Sequence, residues 1–446
     1  MTSQALVEQF RQDIGSVSST IEEAQLRQKS HDFHWYSPVL TPQLKNCFAD
    51  VVVEPRSEDD IAAVVAAAVK LRIPLTLRGG GTGNYGQSVP LKGGVLVDMT
   101  GFNKVMAVEP GSIRVQSGTV IRTALEAALA SGQQLMMYPS TMRSATIGGY
   151  LGGGFAGIGS VRHGIIRDSG MIQSLKIMTI EEPSRFLTLS GDDVGFVFHS
   201  WGTTGIILEA QLKLVPAEKW IDCIATFPSY GDAIGFGNAA FASDLDIFLL
   251  SAVERRFGPY YKRMGKYFDG SRDAMFSMVK ESDVDRFFAL AATFNGHRSM
   301  AVSDVESAAA NLRRIHETAF NHTTLSALQV DRGWTYLQVV MPNPFEPKLV
   351  EEQMRRFGDE VLMHHEYTKE KGRCRIGGLP LIRYTTEQRL NEIMQSFVDD
   401  GCVINNPHIF KLEDGGRFDP EGRKMAFRAS VDPMGLLNPG KLRSVS

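Results

Sequence analysis

The chain is poor in cysteine, in net charge and in long apolar runs, and each shortage removes a class of function. Its four cysteines, Cys47, Cys223, Cys374 and Cys402, lie far apart and form no Cys-x-x-Cys or Cys/His spacing. Neither a disulfide framework nor a zinc site is expected, no metal is assigned, and the thiols read as free ones in a reducing compartment. A formal charge of −3 over 446 residues supplies no basic surface for nucleic acid and no pull toward an anionic membrane. No stretch approaches the roughly 18 apolar residues of an integral membrane segment, and residues 1–21 lack the basic start and apolar run of a secretory signal. A cytoplasmic protein acting on small molecules is the expectation. Repeats and low-complexity tracts are missing as well.

What is present is a composition of 43% hydrophobic and 22% charged residues, which suits a globular chain long enough for two domains. Ser57, followed by Glu58, Asp59 and Asp60, predicts a capped helix whose apolar face is Ile61, Val64, Val65, Ala68 and Leu71. A strand over 73–77 then runs straight into Gly79, Gly80 and Gly81. Further strands are predicted at 95–99, 113–117, 172–178, 186–189 and 206–214, the last alternating apolar Leu208, Ala210, Leu212 and Leu214 with polar neighbours. A helix over 120–131 should close on Gly132. Past Pro216 glycine thins out, and helices are predicted at 301–320, 347–357 and 386–397 with a strand at 335–340. The domain boundary falls near residue 216. The tail around Gly435 to Leu442 should turn and pack back on another element.

Glycine is the unusual abundance. Residues 78–164 are about a fifth of the chain yet hold 19 of its 43 glycines, a crowding that costs conformational entropy unless special backbone angles or a close approach require it. Successive amides of a glycine loop make a concave cradle for an anion such as a pyrophosphate. A Rossmann dinucleotide site would need the loop to open a helix. Here Gly79-Gly-Gly-Thr-Gly83 leads through Asn84, Tyr85 and Gly86 to another strand, which argues against that site. Structural turns are the competing reading.

The stretch from Pro74 through Arg78, Gly79, Gly80, Gly81, Thr82, Gly83 and Asn84 to Ser88 resembles the first FAD-binding loop of the p-cresol methylhydroxylase (PCMH) and vanillyl-alcohol oxidase (VAO) superfamily, nearest its glycolate and D-lactate dehydrogenase branch. The run 139–149, with Ser144 and Thr146, is similar to the family's second loop, and 157–168 to the segment after it. The stretch 202–210 resembles the strand closing the flavin domain, and Asn438-Pro-Gly-Lys441 the C-terminal signature. The resemblance implies an α+β fold: a PCMH-type FAD-binding domain of two subdomains over 1–216 (core about 46–217), an α+β cap or substrate domain over 217–425, and a C-terminal segment, 426–446, returning to the FAD domain. FAD is the implied cofactor. Gly79, Gly80, Gly81, Thr82, Gly83 and Asn84 would offer amides to the pyrophosphate, with Ser88 nearby. Ser144, Thr146, Gly148, Gly149, Gly153, Gly154, Gly157 and Ile207 would line the rest of the cofactor. Where relatives with covalent flavin carry a histidine or a cysteine this chain has Thr82 and Ser144, so the flavin is expected to be non-covalent.

The implied chemistry is removal of a hydride from a small alcohol, hydroxy acid or amine, with a quinone, an electron-transfer protein or oxygen as acceptor. A flavin-carrying subunit of a larger dehydrogenase complex is the alternative, and a homodimer is left open. Candidate catalytic residues are His408, Asn406, Lys411 and Tyr384, with His408 read either as a base or as a structural histidine. The 2-hydroxy-acid branch usually has Gly-Glu-His-Gly where this chain has Val403-Ile-Asn-Asn-Pro-His408, which puts that substrate class and a metal site in question. A second polar cluster, His364, His365 and Glu366 with Arg373 and Arg375, is read as helical, with the two histidines pointing to different sides.

Overall fold

In the computed structural model, which describes residues 3–415 and 423–443, the chain divides into two units. The first comprises 1–155, 169–217 and 407–446, the second 156–168 and 218–406. The first unit thus regains the chain at Pro407, earlier than the expected 426. Long-range bonds explain the early return: Ser37 pairs with His408, and the Leu412 amide donates to the Lys441 carbonyl.

The first unit holds two sheets. In one, strands Val51–Glu54, Val95–Asp98 and Leu75–Arg78 run parallel, with Ser18–Thr20 added antiparallel at one edge. Helix Glu58–Leu71 makes the crossover. Ser57 accepts from the Asp60 amide and Asp60 answers on the Ser57 amide, a capping box that satisfies orphan donors at the helix start. Ile61, Val64, Val65 and Ala68 on its inner face are buried against Val51, Val53, Val95, Val97 and Leu75. The crossover delivers the chain along Leu75–Arg78 into the glycine run, so the helix and its sheet aim the loop.

The other sheet is antiparallel, in the order Val105–Glu109, Ser112–Gln116, Ile206–Pro216, Ile172–Met178, Phe186–Ser190, with Gln133–Leu135 pairing the end of Ile206–Pro216. Leu208, Ala210, Leu212 and Leu214 are buried while Glu209 and Gln211 are half-buried and Lys213 is exposed, as the alternation predicts. Helix Ile121–Ala130 ends before Gly132, whose φ is +73°.

The second unit is built on an eight-stranded antiparallel sheet running from His297–Val302 through Trp220–Phe227, Asp273–Lys280, Ile247–Val253, His364–Glu370, Arg373–Gly378 and Val339–Val340 to Val403–Ile404. Helices Pro347–Phe357 and Glu387–Asp399 form where the apolar spacing places them. Three expectations are corrected here. The helix over 301–320 is replaced by the end of a strand, a short helix Asp304–Ala309 that Ser303 caps, and a 3-10 turn Ile315–Glu317. Asn311 and Phe320 take φ of +50° and +52°, which a helix cannot continue through. The strand over 335–340 is two pieces, Trp334–Tyr336 and Val339–Val340, in different sheets. His364, His365 and Glu366 lie on a strand rather than a helix.

Candidate functional site

The first glycine loop leaves Leu75–Arg78 as irregular chain. Among the described residues, no acceptor is met by the backbone amides of residues 80–84, while the Gly83 carbonyl accepts from the Phe33 amide at 2.7 Å. Gly81 needs its glycine: its φ is +63°, and a methyl group there would sit 2.1 Å from the Arg78 guanidinium. That guanidinium donates to the His31 carbonyl at 2.7 Å, and burial holds its pKa below the ordinary arginine value, against the pull of Asp32 and Asp98. A run of unpaired amides therefore lies over a largely buried cation. Both favour an anion.

The second predicted loop meets the first. A methyl on Gly80 would lie 1.9 Å from the Ser144 carbonyl oxygen, and one on Gly79 2.1 Å from Thr146 Oγ1. Thr146 caps helix Ile147–Gly153 by accepting from the Gly149 amide at 3.2 Å, and the Gly148 amide donates to the Ser117 carbonyl at 2.7 Å. Gly153 faces Gln87 of the first loop, 3.9 Å from where its methyl would be. The two loops are thus one backbone surface.

Other expected contacts are placed as follows. Ser144 is exposed and its hydroxyl donates to the Thr141 carbonyl, and Thr146 is buried. The Gly154 carbonyl accepts from His199 Nδ1 at 2.9 Å. Ile207 is buried in its strand opposite Ile177. Gly157 falls in the second unit, where its amide donates to Ser160 Oγ.

FAD fits what these residues offer. Besides the free amides of 80–84, the buried polar atoms with no partner among the described residues include Ser88 Oγ at the loop's end, Ser117 Oγ behind Gly148, Tyr150 OH in the second loop's helix, and Trp201 Nε1. Trp201 stacks on Tyr85, with ring centroids 5.9 Å apart. Burial pushes the Tyr150 phenol well above its ordinary pKa, so it stays a neutral donor. Buried donors are rarely left unpaired in a native protein, and a polar ligand is one usual reason when they are. A family model described as an FAD binding domain matches residues 49–182. This chain carries an FAD-binding domain.

Relatives agree with it. The chain is 30% identical over 201 residues to a D-lactate dehydrogenase of Anaerostipes hadrus, a match covering 41% of this chain and 42% of that one. It is 30% identical over 188 residues to the glycolate oxidase subunit GlcD of Bacillus subtilis, covering 41% and 40%. The matches thus span about two fifths of these relatives' length. Among solved structures, alkyldihydroxyacetonephosphate synthase superposes with a TM-score of 0.74 at 16% identity, over 99% of this chain and 86% of that one. At that identity the likeness is one of fold, and the whole chain shares it. No helix among the described residues is long and apolar enough to cross a membrane.

The catalytic candidates do not fall together in the chain's division. His408 and Lys411 belong to the unit of the FAD-binding domain, Asn406 and Tyr384 to the other. His408 is buried, and its Nδ1 lies 2.7 Å from Ser37 Oγ, which also accepts from the Leu40 amide. Lys411, Asn406 and Tyr384 are half-buried.

In the second unit, His364 Nε2 lies 2.9 Å from both Glu366 Oε1 and Ser251 Oγ, and Glu366 Oε1 also accepts from the Phe320 amide. His365 faces the other way, with Nδ1 2.9 Å from Tyr230 OH, and burial drives its pKa down to about 3. Sequence reasoning missed Ser37, Ser251 and the buried Lys441. Only Lys441 left a trace, as the last residue of the C-terminal signature.

Proposed function

We propose that this chain is an FAD-linked oxidoreductase that withdraws a hydride from a small hydroxy acid, alcohol or amine. The observation that carries the reading is the row of acceptor-less amides at 80–84, backed by Arg78 and pressed against 144–149. Bound FAD supplies a ring that accepts a hydride. The protein's own work is then to hold the dinucleotide by backbone donors, orient the substrate and take its O–H or N–H proton. Relatives named for D-lactate and glycolate favour a 2-hydroxy acid among the three classes. In the first unit His408 is the proposed proton acceptor, its ring held by Ser37, with Lys411 as a further polar group; the second unit, with Asn406 and Tyr384, is the proposed substrate domain. A quinone, an electron-transfer protein or oxygen would take the electrons away.

The test is anaerobic bleaching of the purified flavoprotein by a panel of D- and L-2-hydroxy acids, simple alcohols and amines. Loss of flavin absorbance with a 2-hydroxy acid supports the proposal, and a panel that leaves it unchanged sinks it. A second reading, a flavin-carrying subunit that needs partners to turn over, is favoured by one relative's being named a subunit. It would show as flavin that only a reconstituted complex can bleach.

A further inference from the structure

The C-terminal residues of the FAD-binding domain are tied to the far end of the first glycine loop. The tail runs beside Leu75, where the Leu75 amide donates to the Leu436 carbonyl and the Asn438 amide to the Leu75 carbonyl, extending the parallel sheet. From there Asn438, with φ of +41°, turns its side chain inward, and Nδ2 donates to the Gln87 carbonyl at 2.9 Å and to the Trp201 carbonyl at 2.7 Å. Lys441 follows, fully buried, with Nζ donating to the Gly86 carbonyl and lying 5.9 Å from the Phe410 ring. Gln87 passes the restraint on: its Oε1 accepts from the Tyr85 amide at 2.9 Å and would stand 2.3 Å from a methyl on Gly83.

A peptide plane has a carbonyl on one side and an amide on the other, so a donor that holds the carbonyl also fixes where the amide points. In a glycine-rich loop that fixing matters, because glycine allows the plane to flip at little cost. The plane after Gly86 is held by Lys441 together with the Val89 amide, that after Gln87 by Asn438, and that after Gly83 by the Phe33 amide. Burying a lysine with a carbonyl as its hydrogen-bond acceptor is costly, and burial lowers its pKa to about 7, against the opposing pull of Asp32 and Cys47. Plain packing would be served better by an apolar residue there.

Resting on the reading of residues 80–84 as the pyrophosphate cradle, we propose that Asn438 and Lys441 are positioning residues for FAD: by holding the Gly86 and Gln87 carbonyls they fix Gln87, whose side chain braces Tyr85 and Gly83, so that the far end of the cradle is pre-set for the dinucleotide. Pre-setting removes an ordering cost from binding. The loss of either clamp should therefore appear in cofactor affinity more than in the stability of the empty protein.

The test uses full-length protein stripped of flavin, with FAD titrated in by fluorescence and the empty protein's Tm measured alongside. Asn438→Gly removes both side-chain bonds while tolerating the positive φ, and Lys441→Met removes the buried cation at similar size. Each should raise the Kd for FAD tenfold or more with the empty protein's Tm nearly unchanged. Should Asn438→Gly not fold, Lys441→Met carries the test. A pH series adds a signature that packing would not produce. With Lys441 charged below its pKa of about 7, wild-type affinity should weaken as pH rises through and above that value, and Lys441→Met should flatten the profile. A Cys47→Ser control covers the neighbouring thiol. Variants that bind FAD within twofold of wild type, or whose Kd merely follows a fall in Tm, overturn the inference alone. A wild-type chain that takes up no FAD overturns the cradle reading together with it.

Discussion

The backbone of Gly80 approaches Ser144 so closely that a methyl group on Gly80 would lie 1.9 Å from the Ser144 carbonyl oxygen. No side chain can occupy that space unless one of the two cofactor loops moves. Gly80→Ala is therefore expected to separate the loops, cutting flavin content tenfold or more and costing on the order of 1–3 kcal/mol of stability from overpacking. The ratio of flavin to protein absorbance reads the first effect and thermal unfolding the second. A variant purified with its full flavin complement would contradict the arrangement.

The family resemblance sets Thr82 and Ser144 where relatives with covalent flavin carry a histidine or a cysteine, so a non-covalent flavin is the expectation. Acid or heat precipitation should release all of the yellow chromophore into the supernatant. Flavin that stays with the pellet would show a covalent link elsewhere in the chain.

His408 and Ser37 make a buried 2.7 Å pair. If His408 takes the substrate proton, His408→Asn should slow flavin reduction by about 10²- to 10⁴-fold, the usual worth of a general base, with FAD affinity retained. Rapid-mixing kinetics under anaerobic conditions separate this from a packing role. In the packing case the variant would melt earlier yet reduce its flavin at the wild-type rate.

His365 is buried beside Tyr230 and the Phe345 ring, and burial, reinforced by His364, lowers its pKa from 6.5 to about 3. The folded form binds the proton more weakly than the unfolded form. The stability His365 contributes is thus complete above pH 6.5 and is lost as pH falls from there toward 3, on the order of 5 kcal/mol across the window. Urea unfolding at neutral pH and near pH 4 should show a steeper acid loss for the wild type than for His365→Phe. Equal losses would rule out this histidine as the source.

Much of the FAD-binding domain was legible from local chemistry. The Ser57 cap, the alternation along Ile206–Pro216 and the closing Gly132 each depend on a few neighbouring residues, and each formed where the sequence places it. The second unit was less legible. Ala301 to Phe320 has good helical spacing, but left-handed turns at Asn311 and Phe320 divide it; asparagine tolerates that conformation, whereas nothing in the local pattern marks Phe320 for it. His364 to Glu366 could be read on a helix or a strand, because short mixed runs carry no decisive period.

By itself the sequence determined where a run of backbone amides would be left without acceptors, because glycine's freedom is a property of the residue and its immediate neighbours. Which groups would hold those amides in place only the tertiary structure decided. Lys441 reaches Gly86 across 355 residues and His408 reaches Ser37 across 371. Pairings so distant arise from the closure of the whole chain around its sheets, and one sequence carries no local signal of where that closure brings two side chains together.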